Sequence, residues 1–596
     1  MPESPMVNSS AAVKLSIFSE GKQIDDAIEI LLVSVTNAIN KIPYARIELV
    51  DGDMPSKDFP ISSSDDFKPG SEIKIDAGYD KSADTIFQGI VVRHGIKISG
   101  DNLSRLVIEC RDKAVAMTIG RQNANYIDSK DSDIISSLVS KYSGLSSEVE
   151  ATTAQYGELV QYYCSDWDFM LSRAEVNGLL VCVEDGKLSV KPPQTSSSAE
   201  LKLTYGDDLI ELNADIDARS QLDEVTTVSW DPGNQEIIEE TAGPQTLNAQ
   251  GDLTAKDLAK VAGPKSFRLQ TQGLLEKAAL KDWAEGQQLK AGLARIRGRM
   301  KFQGSAKAKP GSLIELDGVG DRFNGAVFVS SVNHHIVAGN WICEVDFGMS
   351  PDWFAEQRDL VAPPAAGLVP GVEGLQIGVV LQLDEDPDAQ ARVKVSVPIL
   401  GEDAEGVWAR LANFYASNSF GAFFVPEIGD EVLLGYLNND PSNPVVLGSL
   451  YSGKNPPPYE LTADNYIKAL VTRSLLKIEF DDENKIITVI TPGENKLVIS
   501  DEDNSILLED QNGNKVELGS DGIILDSPKD INIRAKGKIT IDAMDKVGVN
   551  SKADVSVAGL NVNHEAQVGF AAKGNATAEL SASGQTTVKG AMVMIN

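Results

Sequence analysis

The sequence predicts a mainly β protein that contains a small five-stranded barrel and ends in a repetitive stem. Two observations lead to this prediction. Between residues 374 and 453, five short apolar runs are separated by turn-forming Gly, Pro, Asp and Asn residues, which is typical of a small closed barrel. The chain changes character from about residue 475, and from residue 523 onward pairs of apolar residues recur at a regular interval, which is typical of repeats that bury their side chains by stacking.

The five barrel runs are residues 377–383, 391–397, 407–412, 431–436 and 445–450. The turns between them contain Asp386-Pro387-Asp388, Ile428-Gly429-Asp430 and Asn438-Asn439-Asp440-Pro441. Such residues fix φ or tolerate a positive φ where a strand must reverse. The segment 374–453 holds eleven acidic and three basic residues, which leaves a net charge of −8. A barrel that gripped a nucleic-acid backbone would need the opposite sign, so we expect no nucleic-acid partner.

Length and composition limit the remaining possibilities. A chain of 596 residues is too long for one core and predicts three or four domains. Its formal net charge of −33 argues against polyanion binding in general. The four cysteines, which show no C-x-x-C spacing, are expected to be reduced core residues: Cys110, Cys164, Cys182 and Cys343.

The N-terminal sequence has no basic segment followed by an apolar core, so no signal peptide is expected. No run approaches the roughly 18 apolar residues of a membrane span. We therefore expect synthesis in the cytoplasm and export by a route other than general secretion.

The first 365 residues are expected to form two barrel-like domains with helical insertions. Six apolar runs at about ten-residue spacing predict strands: 13–18, 30–35, 45–50, 72–75, 86–92 and 106–110. Helices are predicted at 131–142 and 165–178, the second capped by Ser165 and followed by a hairpin over 179–190. The polar stretch 233–265 predicts an insertion or long loop. A helix at 276–293 and strands near 294–302, 313–316, 326–332 and 341–347 are expected to complete the second barrel-like domain.

The stem shows a period of eight. Apolar pairs stand at 523/525, 531/533, 539/541, 547/549 and 555/557. The pattern lapses at Asn563 and Glu565. It resumes with a shifted phase at 570/572 (Phe, Ala), 578/580 (Ala, Leu), 586/588 (Thr, Val) and 594/596 (Met, Asn). Eight residues hold one short strand and a turn, too little to enclose a core, so three chains forming one triangular prism fit best. A flexible β-rich tail is the alternative.

The barrel segment resembles the oligonucleotide/oligosaccharide-binding (OB) module of VgrG spike proteins and of the hub-and-needle proteins of contractile phage tails. The resemblance is carried by Arg392-Val393-Lys394-Val395, Trp408-Ala409-Arg410, Gly421-Ala422-Phe423-Phe424-Val425-Pro426-Glu427-Ile428-Gly429-Asp430-Glu431-Val432 and Pro444-Val445-Val446-Leu447-Gly448-Ser449-Leu450-Tyr451. The chain departs from the family pattern at Ala416-Ser417, where Ala-Gly is frequent.

The resemblance implies a domain order. Residues 1–365 would form a hub, 366–373 a linker, 374–453 the OB-fold neck, 454–472 a second linker and 473–596 a triple-stranded β-helix needle. It implies a homotrimer that contacts inner tube and baseplate proteins and transiently meets a target membrane, with effectors left open as further partners. A PAAR-repeat tip protein would bind the apolar C-terminal residues Met592, Val593, Met594, Ile595 and Asn596. The product would be assembled into an injection particle and delivered outside the cell or into a target cell.

The sequence indicates no enzyme, and we expect no catalytic, cofactor-binding or metal-binding residues. The four histidines are His94, His334, His335 and His564. His334 and His335 are adjacent, and because neighbours in a strand point to opposite sides, this pair is not expected to bind one metal ion. No G-x-S-x-G motif is present. The space between barrel and stem is too short for a hydrolase domain, and the chain ends within the repeat register, so no effector domain is expected. The alternatives are a phage-type needle with cell-wall hydrolase activity and an acidic glycan-binding tail adhesin.

Overall fold

The computed structural model describes residues 2–6, 12–80, 82–100, 103–262, 264–400 and 405–595. The chain divides into two compact units, one with the described residues up to Leu450 and one with those from Tyr451 onward. Strands dominate both units, so the predicted mainly β fold class is confirmed. Within the part of the chain that the structure describes, no helix has the length and apolar character needed to cross a membrane.

The first unit begins with strands and then alternates strands and helices. The opening strands are β1 (Val13–Ser19), β2 (Lys22–Gln23), β3 (Ile30–Ala38), β4 (Tyr44–Val50), β5 (Glu72–Tyr79), β6 (Ser82–Ile98) and β7 (Ser104–Arg111). Next come β8 (Gln122–Lys130), α1 (Asp131–Ser140), β9 (Ser146–Val149), β10 (Gln155–Cys164), α2 (Asp166–Val176), β11 (Leu180–Glu184) and β12 (Lys187–Lys191). They are followed by β13 (Leu201–Thr204), β14 (Leu209–Ile216), β15 (Val225–Asp231), β16 (Glu236–Ala242), α3 (Ala255–Ala262), β17 (Phe267–Thr271), α4 (Lys277–Leu293), β18 (Ile296–Gln303), β19 (Leu313–Asp317), β20 (Gly325–Val337) and β21 (Asn340–Phe347).

The main sheet has 13 strands, and it joins the two sets of strands that the sequence pattern kept apart. Its order is β14-β18-β21-β20-β3-β4-β7-β6-β5-β1-β2, with β19 paired to β20 and β13 paired to β19. The joint is the antiparallel pairing of β20 with β3, from Ser331 opposite Ala38 to Val337 opposite Leu32. A continuous core packs against this sheet and includes Val33, Ile47 and Phe302.

Helix α2 begins as predicted. The Ser165 hydroxyl accepts a hydrogen bond from the Asp168 backbone N–H at 3.1 Å and donates one to the Asp168 carboxylate at 2.6 Å. This satisfies one of the N–H groups that a helix start leaves without a partner. The predicted hairpin follows, with β11 antiparallel to β12. Helices α1 and α2 and this hairpin share a second core that contains Trp167 and Met170.

The long-loop alternative predicted for residues 233–265 is wrong, because the stretch contains strand β16 and helix α3. Strand β16 pairs along its length with β15, from Val225 opposite Ala242 to Asp231 opposite Glu236. Helix α3 follows, and the Thr254 hydroxyl accepts from the Asp257 backbone N–H at 3.1 Å. Strand β16 is the edge of a three-stranded sheet ordered β16-β15-β17. An edge strand needs few apolar residues, which explains its polar composition.

The predicted five-stranded barrel is confirmed. The strands of this region are β22 (Gln376–Gln382), β23 (Arg392–Ser396), β24 (Val407–Leu411), β25 (Ala416–Ser417), β26 (Phe420–Gly421), β27 (Glu431–Tyr436) and β28 (Pro444–Ser449). The closed barrel has the order β22-β23-β24-β28-β27, while β25 and β26 form a separate small hairpin. In the turn after β22, Arg392 donates to Asp386 at 2.5 Å and to Asp388 at 2.6 Å. The Arg392 guanidinium holds the pKa of Asp386 well below its usual range.

The second unit opens with an antiparallel meander. Its strands are β29 (Ile467–Val471), β30 (Lys477–Asp481), β31 (Ile486–Ile490), β32 (Lys496–Ser500), β33 (Ser505–Glu509), β34 (Lys515–Gly519) and β35 (Gly522–Asp526). Each strand pairs with the next one along the chain. Among the described residues from 527 to 595, no segment forms a strand pairing within the chain.

Candidate functional site

One face of the meander is almost wholly apolar. Its side chains form two columns across the seven strands, two residues from each strand, because alternate residues of a strand share a face. Ile499 shows the arrangement, since it lies opposite Ile487 on one side and Ile506 on the other. We call the following set the apolar face: Lys468, Leu470, Ile478, Phe480, Ile487, Val489, Leu497, Ile499, Ile506, Leu508, Val516, Leu518, Ile523 and Leu525. Only Lys468 in this set is charged.

The apolar face has no cover from its own chain. Among the described residues from 451 to 595, Ser500 is buried, but no apolar side chain is. Monomeric soluble proteins rarely expose so long an apolar surface, which normally marks an interaction site. The meander therefore presents a binding surface for another chain.

The opposite face of the meander carries the charges. Lys496 and Glu509 are 3.1 Å apart, and Lys515 and Glu517 are 3.3 Å apart. Tyr459, which follows the barrel in the chain, donates to the Glu479 carboxylate. Its ring centroid lies 5.9 Å from the Lys477 ammonium. The chain thus contacts its own charged face and leaves the apolar face open.

The hairpin turns of the meander are fixed by local carboxylates. Asp510 accepts from the backbone N–H of Asn514 at 2.9 Å and from its side-chain amide at 2.9 Å. These hydrogen bonds from Asn514 lower the pKa of Asp510 to about 2. Asp481 accepts in the same way from Asn484 in an earlier turn. Such side-chain-to-backbone bonds define the turn, and with it the register that aligns the two columns.

The octads continue the apolar pairs of the meander without its backbone pairing. Ile523 and Leu525 on β35 are followed eight residues later by Ile531 and Ile533, and then by further pairs up to Val555 and Val557. All these side chains are exposed in the single chain. Backbone N–H and C=O groups in extended segments require partners when they are buried. Another chain is the natural source of those partners.

The predicted tip-binding residues lie in an extended, uncovered segment. Met592, Val593, Met594 and Ile595 are 50–92% exposed. Asn596 lies outside the described residues. The structure places no other segment against the four described residues, so tip binding stays a prediction.

The histidine pair lies on opposite faces of β20, as alternation in a strand requires. The Nδ1 atom of buried His334 accepts from Trp341 Nε1 at 3.3 Å, and Cys343 Sγ lies 3.1 Å from it. His335 instead contacts Asn333 at 3.0 Å. Burial lowers the pKa of His334 to about 4 and raises the pKa of Cys343 to about 12. Both groups are therefore uncharged near pH 7, and the thiol is a poor nucleophile.

Among the residues that the structure describes, no group of three or more His, Cys, Asp or Glu side chains is placed to hold a metal ion. The cysteines form no disulfide in this part of the chain, and Cys110 and Cys343 are buried as predicted.

The sequence reasoning missed an exposed aromatic loop on the barrel. Phe414, Tyr415, Phe420, Phe423 and Phe424 lie between β24 and β27 with most of their surface accessible. The loop was visible in the sequence as an uncharged aromatic stretch, but aromatic residues normally indicate a core. Only the structure shows that they point outward.

Three sequence families match the chain in order. Residues 9–338 match the family described as Alg8 N-terminal domain. Residues 376–451 match the type VI secretion system/phage-baseplate injector OB domain, and residues 486–554 match the phage baseplate V C-terminal trimerisation domain. The trimerisation domain thus covers five of the meander strands and the first octads.

Curated relatives share shorter segments. The chain is 39% identical over 77 residues to the type VI secretion system spike protein VgrG4b of Pseudomonas aeruginosa, which is 13% of this chain and 9% of that protein. It is 34% identical over 134 residues to VgrG5 of the same species, 21% of this chain and 16% of that protein. It is 32% identical over 115 residues to the actin cross-linking toxin VgrG1 of Vibrio cholerae, 18% of this chain and 10% of that protein. The matched segments span less than a fifth of these relatives.

Solved structures of tail proteins show weak likeness. A component of the Escherichia coli type VI secretion system is 12% identical, with 73% of this chain and 99% of that chain covered at a TM-score of 0.37. The 43 kDa tail protein of prophage MuSo2 from Shewanella oneidensis is 10% identical, with 57% and 99% covered at 0.44. Such TM-scores are too low to support an argument. Because the Alg8 N-terminal domain family matches more than half of the chain, the chain belongs to that family, and the injector OB domain and the trimerisation domain follow in order.

Proposed function

We propose that this protein is the structural homotrimeric spike of a contractile injection system. The observation that carries the proposal is the apolar face of the meander, which one chain leaves open and which runs directly into the octads. Three such faces turned toward one axis would form a triangular prism with a dry interior. The match to a trimerisation domain over residues 486–554 supports this number of chains.

The proposed mechanism is mechanical rather than catalytic. In the octads, backbone hydrogen bonds would run between chains, so no single chain could unravel without breaking bonds to its neighbours. Axial force from contraction would then reach the far end of the stem without unfolding it. Residues 1–365 would serve as the hub on the inner tube and baseplate, 374–453 as the neck and 473–596 as the needle, with the intervening linkers at 366–373 and 454–472.

We propose that the exposed segment Met592, Val593, Met594 and Ile595 binds a PAAR-type tip protein, together with Asn596. Three copies would present twelve apolar side chains, counted as four residues in each of three chains, at one blunt end. An apolar end with unpaired strands tends to associate with another protein. A capped needle would meet the target membrane only briefly, during injection.

The decisive experiment combines mass and shape. Light scattering on the purified full chain is expected to give three times the 63.9 kDa chain mass, and electron micrographs are expected to show a broad head on a thin rod. A monomer with a floppy C-terminal third would overturn the proposal. Cell-wall hydrolysis in a zymogram would favour the hydrolase alternative, and specific glycan binding on an array would favour the adhesin.

Tip binding has its own test. Replacing Met592 and Met594 by Asp should abolish binding of a PAAR-repeat protein, because it puts six carboxylates, two in each of three chains, at the contact. The matched control replaces the same two residues by Leu, which keeps the surface apolar and should keep binding. Unchanged affinity after deletion of residues 591–596 would contradict tip binding without affecting the trimer.

A further inference from the structure

We propose that the aromatic loop of the neck barrel, residues 412–426, docks on the outer face of the barrel of a neighbouring copy of this chain. This inference rests on the proposed homotrimer. It assigns the neck an interface of its own, separate from the stem.

The composition of the loop separates it from the rest of the surface. Residues 412–426 contain no Asp, Glu, Lys or Arg, although 24% of the chain is charged. The loop carries five aromatic side chains, which are 56–88% exposed: Phe414, Tyr415, Phe420, Phe423 and Phe424. A loop that only met water would have no reason to exclude charge and concentrate aromatic surface.

The loop is ordered before any partner binds. Ala416 pairs with Gly421 and Ser417 with Phe420 in the small hairpin β25–β26. The rings of Tyr415 and Phe420 have centroids 5.9 Å apart. Gly421 has a φ of +144°, and a Cβ there would lie 2.6 Å from the Tyr415 carbonyl oxygen, so the turn requires glycine. A preformed aromatic surface loses little conformational entropy on binding.

The area available suits a specific contact. One aromatic side chain has a surface on the order of 150–250 Å². Because the five side chains of the loop are 56–88% exposed, together they offer roughly 700 Å² for contact. A standard protein interface buries about 800 Å² on each partner. The loop alone therefore supplies most of one side of an interface.

An apolar patch on the same barrel offers a matching surface. Leu375 and Leu447 lean over Gly435, where an added Cβ would lie 3.8 Å from Leu375 Cδ2 and 3.3 Å from Leu447 Cδ1. Ile377 lies near the start of strand β22, two residues after Leu375, and all three apolar side chains are exposed. Because Gly435 has no side chain, the two leucines can pack over its backbone and form one apolar patch. A loop from one copy that enters the patch of the next makes a head-to-tail contact, which can close around a three-fold axis.

A second copy is the occupant that the chain favours. Strand β28 ends at Ser449 and β29 begins at Ile467, so each barrel is tethered within roughly 60 Å of the stem. Three stems joined in the trimerisation domain thus hold three barrels at high local concentration. Each barrel segment carries a net charge of −8, so like barrels repel unless their contact is uncharged. The loop and the leucine patch are both uncharged.

The test uses the full chain with a photo-crosslinking phenylalanine at position 423. Equal amounts of isotopically light and heavy chains are refolded together and irradiated, and cross-linked peptides are sequenced. Position 423 is expected to link to residues 374–453 of the other isotopic form. Links confined to one isotopic form, or links to a different protein, would overturn the inference.

A matched pair of variants tests the receiving patch. Leu375→Ser together with Leu447→Ser should lower the yield of the intercopy link about tenfold, the effect of roughly 1.4 kcal/mol at an interface. Leu381→Ser, on the same strand β22 but outside the patch, should leave the yield unchanged. Equal yields in both variants would overturn the assignment of the patch.

Light scattering on the same samples distinguishes a failure of the neck contact from a failure of the proposed trimer. A trimer without intercopy neck links overturns this inference and leaves the spike proposal standing. A monomer overturns both.

Discussion

The N-terminal unit and the stem treat their apolar residues in opposite ways. In the first unit, large side chains such as Phe67, Phe302 and Phe347 are fully buried within one chain. Among the described residues of the stem, from 451 to 595, no apolar side chain is buried. One chain is therefore enough to close the cores of the first unit, whereas the stem needs partners.

The two parts of the stem, the meander and the octads, depend on other chains to different degrees. The meander satisfies its backbone hydrogen bonds within the chain and leaves only its apolar face open. The octads, over the described residues from 527 to 595, have neither strand pairing nor side-chain burial of their own. Dependence on other chains thus increases from the barrel toward the C-terminus, and the meander is the step between a self-sufficient unit and an obligate assembly.

Breaking the apolar face should have the largest effect. Ile499→Asp puts a carboxylate at the centre of one column, and the trimer would bury three of them without a counter-charge, at several kcal/mol each. We expect light scattering to show the mass of one chain, with the thermal transition of the N-terminal unit unchanged. The control is Val498→Asp, one residue away on the opposite face, which should stay trimeric. If both variants stay trimeric, the apolar face is not the interface.

A core substitution in the first unit should lower its stability and leave the trimer intact. Phe302→Ala removes a fully buried ring from the main core and should lower the free energy of unfolding of the N-terminal unit by about 3–5 kcal/mol. Calorimetry is expected to move only the transition of this unit, while the molar mass stays that of the trimer. A shift of the stem transition by the same amount would mean that the two units unfold together.

Acidification should destabilise the N-terminal unit through His334. The pKa of this buried imidazole falls from its ordinary 6.5 to about 4 because burial disfavours the charged form. Between these values the unfolded chain binds a proton that the folded chain does not, so stability is full above pH 6.5 and falls as the pH drops toward 4. The free energy of unfolding falls by about 3 kcal/mol between pH 6.5 and 4. Denaturant titrations of His334→Gln should lack this component, and pH profiles parallel to the wild type would contradict it.

The sequence predicted local structure well wherever turn chemistry was explicit. The five barrel strands stand between Gly, Pro, Asp and Asn turns, and each was predicted to within two residues at either end. The cap of α2 followed from Ser165 and the acids after it. Strand β16 was missed because an edge strand can be polar. The partnership of β3 with β20 could not be predicted, since nothing local links Ser34 to Asn333, whose side chains meet at 3.2 Å across 299 positions.

The candidate sites also differ in how far the sequence could predict them. The octad period predicted which residues lack a partner in one chain, because a repeat of eight cannot enclose a core. The aromatic loop escaped notice because its residues have no period, and exposure is a property of the folded barrel alone. The predicted domain boundaries and the tip-binding residues stay predictions.

The one-sided meander has a consequence for how the protein is made. The first unit leaves the ribosome before the stem and can fold while the apolar face is still being translated. A finished stem that has met no other chain exposes this apolar sheet to water and is therefore prone to aggregate until it assembles.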